Sequence, residues 1–114
     1  MNYDRAHELA REIRSSEEYR RYAAATEKVS EDPNTVGLLA EYKRLQLRCQ
    51  AAMVSGEQDE ESMEKLRRLL AVLQMNSDAA EYIFAEITLS RALGDIYRIL
   101  AEAAGVDTSL FDGQ

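Results

Sequence analysis

The longest uninterrupted helical pattern in the sequence covers residues 77–105, and it constrains the fold more than any other feature. Apolar residues recur there at steps of three and four, which is the spacing of one side of an α-helix. Two adjacent rows share this spacing: Tyr82, Glu86, Leu89, Leu93, Ile96, Leu100 and Ala103, and Ile83, Ile87, Ser90, Gly94, Tyr97, Ala101 and Ala104. A helix of this length measures about 40 Å at roughly 1.5 Å per residue. The pattern predicts a long bundle whose last helix has a wide apolar face.

Four amphipathic patterns precede this helix and predict four more helices. They cover residues 2–14, 15–30, 32–55 and 57–76. Ser15 with Glu18 fits a capping box, and Asp32 before Pro33 is typical of a helix start. Ser77 is the expected N-cap of the last helix. One proline and no alternating β-branched run leave little room for a sheet.

The predicted fold is therefore all-α, an elongated five-helix bundle built on two long antiparallel helices at residues 32–55 and 77–104. Short linkers also predict that the third and fourth helices, and the fourth and fifth, run antiparallel. A chain of 114 residues is most simply one domain. We expect that domain at residues 1–105.

The carboxyl-terminal tail, residues 106–114, has no helical period. We expect this short tail to fray unless Leu110 and Phe111 dock against the helices.

The charge balance bears on the class of partner. The formal net charge is -7 at pH 7, and nucleic-acid binding relies mainly on clusters of Lys and Arg. We therefore expect no direct contact with nucleic acid. No stretch reaches the roughly 18 apolar residues that span a bilayer, and the amino end lacks the apolar core of a signal peptide. We expect a cytoplasmic protein that does not enter a membrane.

Residues that could support catalysis are sparse. His7, the only histidine, lies on a short polar helix, where an exposed surface position is favoured over a catalytic one. Cys49 falls in an apolar row of the third helix, where packing in a core or interface is favoured over a redox or metal role. The sequence contains no ligand-spaced motif for zinc or calcium. We expect neither an enzyme nor a bound metal or other cofactor.

Glu86 is the one carboxylate in the first apolar row of the last helix. Carboxylates are rarely buried without a partner, so Glu86 either lies at the edge of the row or pairs with a basic residue. The alternative is a polar group that binds a partner or sets a register. Ser90 and Gly94 are small residues four apart, which permits a close helix crossing although glycine costs about 1 kcal/mol relative to alanine.

Self-association follows from the amount of apolar face. The two long helices present more apolar surface than the three shorter helices can cover, and uncovered apolar patches usually mark an interface. We expect at least a dimer. The candidate interface consists of Leu38, Tyr42, Leu45 and Cys49 on the third helix and Ile83, Glu86, Ile87, Ser90, Gly94 and Tyr97 on the fifth. Alternatively, these rows form the internal core and leave Leu89, Leu93 and Ile96 for the partner.

A set of spaced residues carries a family resemblance over most of the chain. They are Ala6, Leu9, Ile13, Ser16, Tyr19, Asp32-Pro33, Leu39, Tyr42, Gln46, Gln50, Asn76, Tyr82 and Ala85-Glu86. In order and spacing the sequence resembles the YlbF/YmcA family of small bacterial helical proteins.

The resemblance implies a non-enzymatic regulator that works through protein partners in homo- or hetero-oligomers. Better-known members look like accessory factors of ribonuclease Y, which influence messenger RNA processing and developmental regulation. A ribonuclease complex is therefore an implied partner. Some members carry an iron-sulfur cluster on cysteines near the carboxyl end, but residues 106–114 contain no cysteine, so the cluster is not carried over. The alternatives are a self-assembling structural protein and a small-molecule-binding helical bundle.

Overall fold

The computed structural model describes residues 1–106 and contains five α-helices over this range. They are α1 (Asp4–Ser15), α2 (Glu17–Ser30), α3 (Pro33–Ser55), α4 (Glu60–Gln74) and α5 (Ser77–Ala104). Helix accounts for 87% of the structure, and the described residues include no strand. The five-helix, all-α prediction is confirmed. Apart from Val106, the tail that we expected to fray lies outside the described residues.

Local capping explains why the helices begin where they do. The Asp32 carboxylate accepts hydrogen bonds from the Asn34 amide at 3.1 Å and from the Thr35 hydroxyl at 2.8 Å, and Pro33 occupies the first helical position. At the other end of α3, Gly56 adopts a left-handed φ of 76°, which glycine tolerates and other residues do not. Both ends of α3 thus follow from residues readable in the sequence.

Two caps lie one residue from their predicted positions. Ser16, rather than Ser15, accepts a hydrogen bond from the Tyr19 amide at 3.2 Å and begins α2. The Asn76 side chain, rather than Ser77, accepts from the Asp78 amide at 3.1 Å and from the next amide. In each pair the two neighbours are both good cap residues, so composition does not choose between them.

The described contacts fall into two compact units. The terminal unit comprises residues 1–23 together with 84–106, and the central unit comprises residues 24–83. Helices α2 and α5 are each divided between the two units: α2 after residue 23 and α5 after residue 83.

In the central unit, α3 and α4 pack side by side and run antiparallel. Arg48 lies 3.7 Å from Asp59 at one end of the pair, and Thr35 receives a hydrogen bond from Asn76 at the other end. Two short connections reverse the chain twice, so the first turns of α5 run in the direction of α3. A 2.8 Å hydrogen bond from the Lys43 ammonium to the Tyr82 hydroxyl reflects this direction. The antiparallel order predicted for α3 and α4 is therefore present. The antiparallel arrangement predicted for α3 and α5 is wrong for the first turns of α5, because two chain reversals restore the original direction.

The start of α4 is held by a carboxylate cap. Asp59 accepts hydrogen bonds from the amide and the hydroxyl of Ser62, at 3.0 and 2.8 Å. These bonds lower the pKa of Asp59, and the nearby Arg48 lowers it further. The acidic segment 57–61 therefore contributes a helix start, where carboxylates are favoured by the helix dipole.

In the terminal unit, α1 and the first turns of α2 lie along α5. Leu9 and Ile13 of α1 border the same shallow groove as Leu89, Leu93 and Ile96 of α5. Nearer the amino end of α5, Ala85 is buried beside Glu18 and Arg21 of α2. No residue of α1 is fully buried, so this helix covers α5 only partly.

The Asn76 side chain connects two helices, and we expect its loss to be costly. Besides capping α5, its amide nitrogen donates to the Thr35 hydroxyl at 3.2 Å, and Thr35 is buried. Asn76→Ala removes the cap and leaves a buried hydroxyl without one partner, so it should lower the free energy of unfolding by about 1–2 kcal/mol. Urea denaturation measures this loss. Ser77→Ala is the matched control, and an equal loss in both variants would assign the cap to the wrong residue.

Candidate interaction surface

The two halves of the predicted interface have different environments. On α3, Tyr42 and Leu45 are buried within the central unit, while Leu38 and Cys49 are half-buried. The side chains of Tyr42 and Leu45 thus contribute to the chain's own core. On α5, the predicted residues remain largely accessible: Ile83, Glu86 and Gly94 are half-buried, and Ile87, Ser90 and Tyr97 are exposed.

The accessible part of α5 forms one row on a single helix. Ile87, Ser90, Gly94 and Tyr97 follow at steps of three and four, and we call them the α5 row. The groove that α5 forms with α1 and α2 is lined by the alternative set that includes Leu89 and Leu93, which belongs to the adjacent row of the same helix. Ile87 keeps 44% of its surface exposed and Tyr97 keeps 53%, so residues 1–106 cover this row only partly.

Gly94 stands at the centre of the α5 row. A Cβ atom placed on Gly94 would meet nothing within 4 Å apart from its own helix backbone. Packing within the chain therefore does not require a glycine here, although glycine inside a helix costs about 1 kcal/mol relative to alanine.

A second accessible row lies on α3, one position along from its buried row. Val36, Ala40, Leu47, Ala51 and Val54 are all exposed, and we call them the outer stripe. The sequence prediction did not include the outer stripe. Its only sequence signal is a second set of apolar residues at helical spacing, beside the row that forms the core.

An apolar groove of about 320 Å³ adjoins the amino-terminal part of the outer stripe. Val29 of α2, Leu39 of α3 and the Tyr82 ring contribute to its walls. Lys43 is the one charged residue among those that line it. Its ammonium lies 5.2 Å from the centre of the Tyr82 ring, in the geometry of a cation–π contact.

Basic residues accompany the outer stripe. Helix α3 contains Lys43, Arg44 and Arg48 but only one acidic residue, Glu41. Arg44 donates two hydrogen bonds to the Glu41 carboxylate, which lowers the pKa of Glu41. The sign of charge on α3 is thus opposite to that of the whole chain.

The remaining candidate residues are separate from these surfaces. His7 is exposed on α1, and Cys49 is half-buried on α3. Among residues 1–106, no three His, Cys, Asp or Glu side chains lie close enough together to hold a metal ion. None of the described helices is long and apolar enough to cross a membrane.

The chain matches the model of a known protein family. A family model described as control of competence regulator ComK, YlbF/YmcA, matches residues 2–104. The chain belongs to the YlbF/YmcA family. The resemblance carried by the spaced residues is therefore confirmed, and YlbF/YmcA membership supports a regulatory role.

Relatives of this YlbF/YmcA chain extend over nearly its whole length. A UPF0342 protein of Symbiobacterium thermophilum is 38% identical over 106 residues, which cover 92% of this chain and 95% of the relative. A UPF0342 protein of Caldicellulosiruptor saccharolyticus is 32% identical, covering 96% and 92% respectively. Neither name refers to an enzymatic activity.

A solved structure shares the fold. It is described as a protein of unknown function (DUF964) from Bacillus stearothermophilus, and it aligns with a TM-score of 0.70. The alignment covers 88% of this chain and 89% of that chain, at 23% sequence identity. At this identity the similarity concerns the helical architecture alone.

Proposed function

We propose that the protein is a cytoplasmic, non-enzymatic regulatory adaptor that acts through protein–protein contacts and uses the α5 row to bind a second copy of itself. The observation that carries this proposal is the exposed α5 row, a face that the described part of the chain does not cover. Such faces usually mark interaction sites in folded proteins.

The arrangement of the α5 row suits a symmetric pair. If two α5 helices cross antiparallel at their small residues, Ser90 of one copy lies opposite the partner's Gly94, and Ile87 lies opposite the partner's Tyr97. Each of these contacts then occurs twice, as a twofold interface requires, and small residues meet small ones while large residues meet large ones. The close crossing also gives Gly94 a role that packing within the chain does not.

The same crossing assigns a role to Glu86. It brings Glu86 of one copy near the partner's Arg98, so that opposite charges meet at both ends of the crossing. A register-setting role for Glu86 is thereby favoured over a purely structural one.

Affinity capture from the protein's own cell extract tests the adaptor role. We expect a ribonuclease or an associated RNA-processing factor to co-purify, because the family resemblance implies such partners. Recovery of the protein alone would favour the self-assembling structural alternative. A thermal-shift screen in parallel tests the small-molecule alternative, since a ligand that binds only the folded state raises the unfolding temperature.

A further inference from the structure

We infer that the outer stripe of α3 is the docking surface for an acidic amphipathic helix of a partner protein. This inference rests on the proposed adaptor function and specifies where, and to what kind of partner, the adaptor binds.

The exposure of the outer stripe is the first step. Leu47 keeps 67% of its surface exposed and Val54 keeps 90%, while Leu39 and Leu45 on the core side of the same helix are buried. The core of the central unit is therefore complete without the stripe. Its residues nevertheless lie at helical spacing from Val36 to Val54, with Lys43 at the one position of the row that is not apolar. This length is about 27 Å at roughly 1.5 Å per residue.

The shape of the surface favours a helix over a small molecule. An amphipathic helix binds along a groove through apolar residues spaced three and four apart. The groove beside Val36 can take one such anchor, and the exposed residues farther along α3 can take the following ones. A ligand confined to the groove would leave Leu47 and Val54 without a role.

Charge decides the chemistry of the occupant. Lys43 borders the groove, and Arg44 and Arg48 lie farther along the same helix. Arg44 pairs with Glu41 and Arg48 lies near Asp59. Helix α3 nevertheless has three basic residues and one acidic residue, so it carries an excess of positive charge within a chain of net charge -7. Carboxylates flanking the apolar anchors of a docked helix would meet these cations, whereas lysines would be repelled. The rest of the acidic surface would also disfavour misplaced binding of an acidic helix.

A peptide experiment tests the inference directly. The probe is a fluorescent 18-residue helical peptide with leucines at the a and d heptad positions and glutamates at e and g. One control peptide carries lysines in place of the glutamates. The other has the composition of the acidic peptide in scrambled order. By fluorescence anisotropy we expect the acidic amphipathic peptide to bind about tenfold more tightly than either control. Equal binding of the three peptides, or no binding of the acidic one, would overturn the inference.

Two substitutions locate the binding site. Leu47→Glu should lower the affinity for the acidic peptide by about tenfold, because it places a like charge in the middle of the outer stripe. Val72→Glu on α4 is the matched control, since Val72 is 52% exposed and the charge change is the same. If both variants lose the peptide equally, the outer stripe is not the site.

Sedimentation of the same variants separates this inference from the proposed function. Leu47→Glu should leave the self-association unchanged, because the α5 row is untouched. If Leu47→Glu instead dissociates the oligomer, the outer stripe is a self-interface and the inference is wrong. If the wild-type protein binds the acidic peptide as a monomer, the docking surface stands while the self-association in the proposed function fails.

Discussion

Replacing Ile87 with glutamate is expected to convert a dimer into a monomer of 12.9 kDa in sedimentation equilibrium at micromolar concentration. Ile87 is 44% exposed in the chain, so the glutamate remains solvated in a folded monomer. In the proposed pair it would face the partner's Tyr97, where a carboxylate loses water that the aromatic ring does not replace. An unpaired buried charge costs several kcal/mol, which is enough to abolish a micromolar dimer.

The chain provides a matched control on the same helix. Ile99 is 65% exposed and lies on a different side of α5 from Ile87, so Ile99→Glu makes the same chemical change outside the proposed contact. The Ile99 variant should remain dimeric, and circular dichroism should show both variants folded. A wild-type monomer would refute self-association. A dimer that persists in Ile87→Glu would refute only the choice of face.

Gly94→Leu gives an independent check on that contact. A Cβ at Gly94 meets nothing nearby in the chain, so the longer side chain is tolerated in the monomer. In a close helix crossing the same side chain would push the two backbones apart.

The largest effect on stability is expected for Leu73→Ala. Leu73 is 0% exposed and is the one large side chain of the described residues that is completely buried. Truncation of a buried leucine removes apolar contacts and leaves a cavity, which costs about 2–5 kcal/mol. Small domains are stable by only about 5–15 kcal/mol, so this one change removes a large share of the total.

Urea denaturation at one fixed protein concentration measures this effect, because association contributes to the apparent stability of a dimer. Leu47→Ala is the control, since Leu47 is 67% exposed and its truncation should cost about 0.5 kcal/mol or less. A loss below about 1 kcal/mol for Leu73→Ala would mean that the α3–α4 pair does not hold the core of the central unit.

The helices could be predicted from the sequence because their boundaries depend on neighbouring residues. The Asp32-Pro33 start and the Gly56 end of α3 are both local signals, and both are present in the structure. The two misplaced caps have the same cause, because Ser15 and Ser16, or Asn76 and Ser77, differ little in capping strength.

The distribution of burial could not be predicted in the same way. Helical spacing identifies which residues share a face, but it does not reveal which other element covers that face. On α3 the row containing Tyr42 and Leu45 is covered, while the row containing Leu47 is not, although both rows are apolar. The difference depends on where α4 packs, which is a property of the tertiary structure.

The hydrogen bonds around Thr35 have a consequence for how the central unit opens. The Thr35 hydroxyl donates to Asp32, the cap of α3, and accepts from Asn76, the cap of α5. The first turns of two helices that are about forty residues apart in the chain thus share one buried side chain. Neither start can fray without breaking a bond on which the other depends, so the two ends should open together as one cooperative segment.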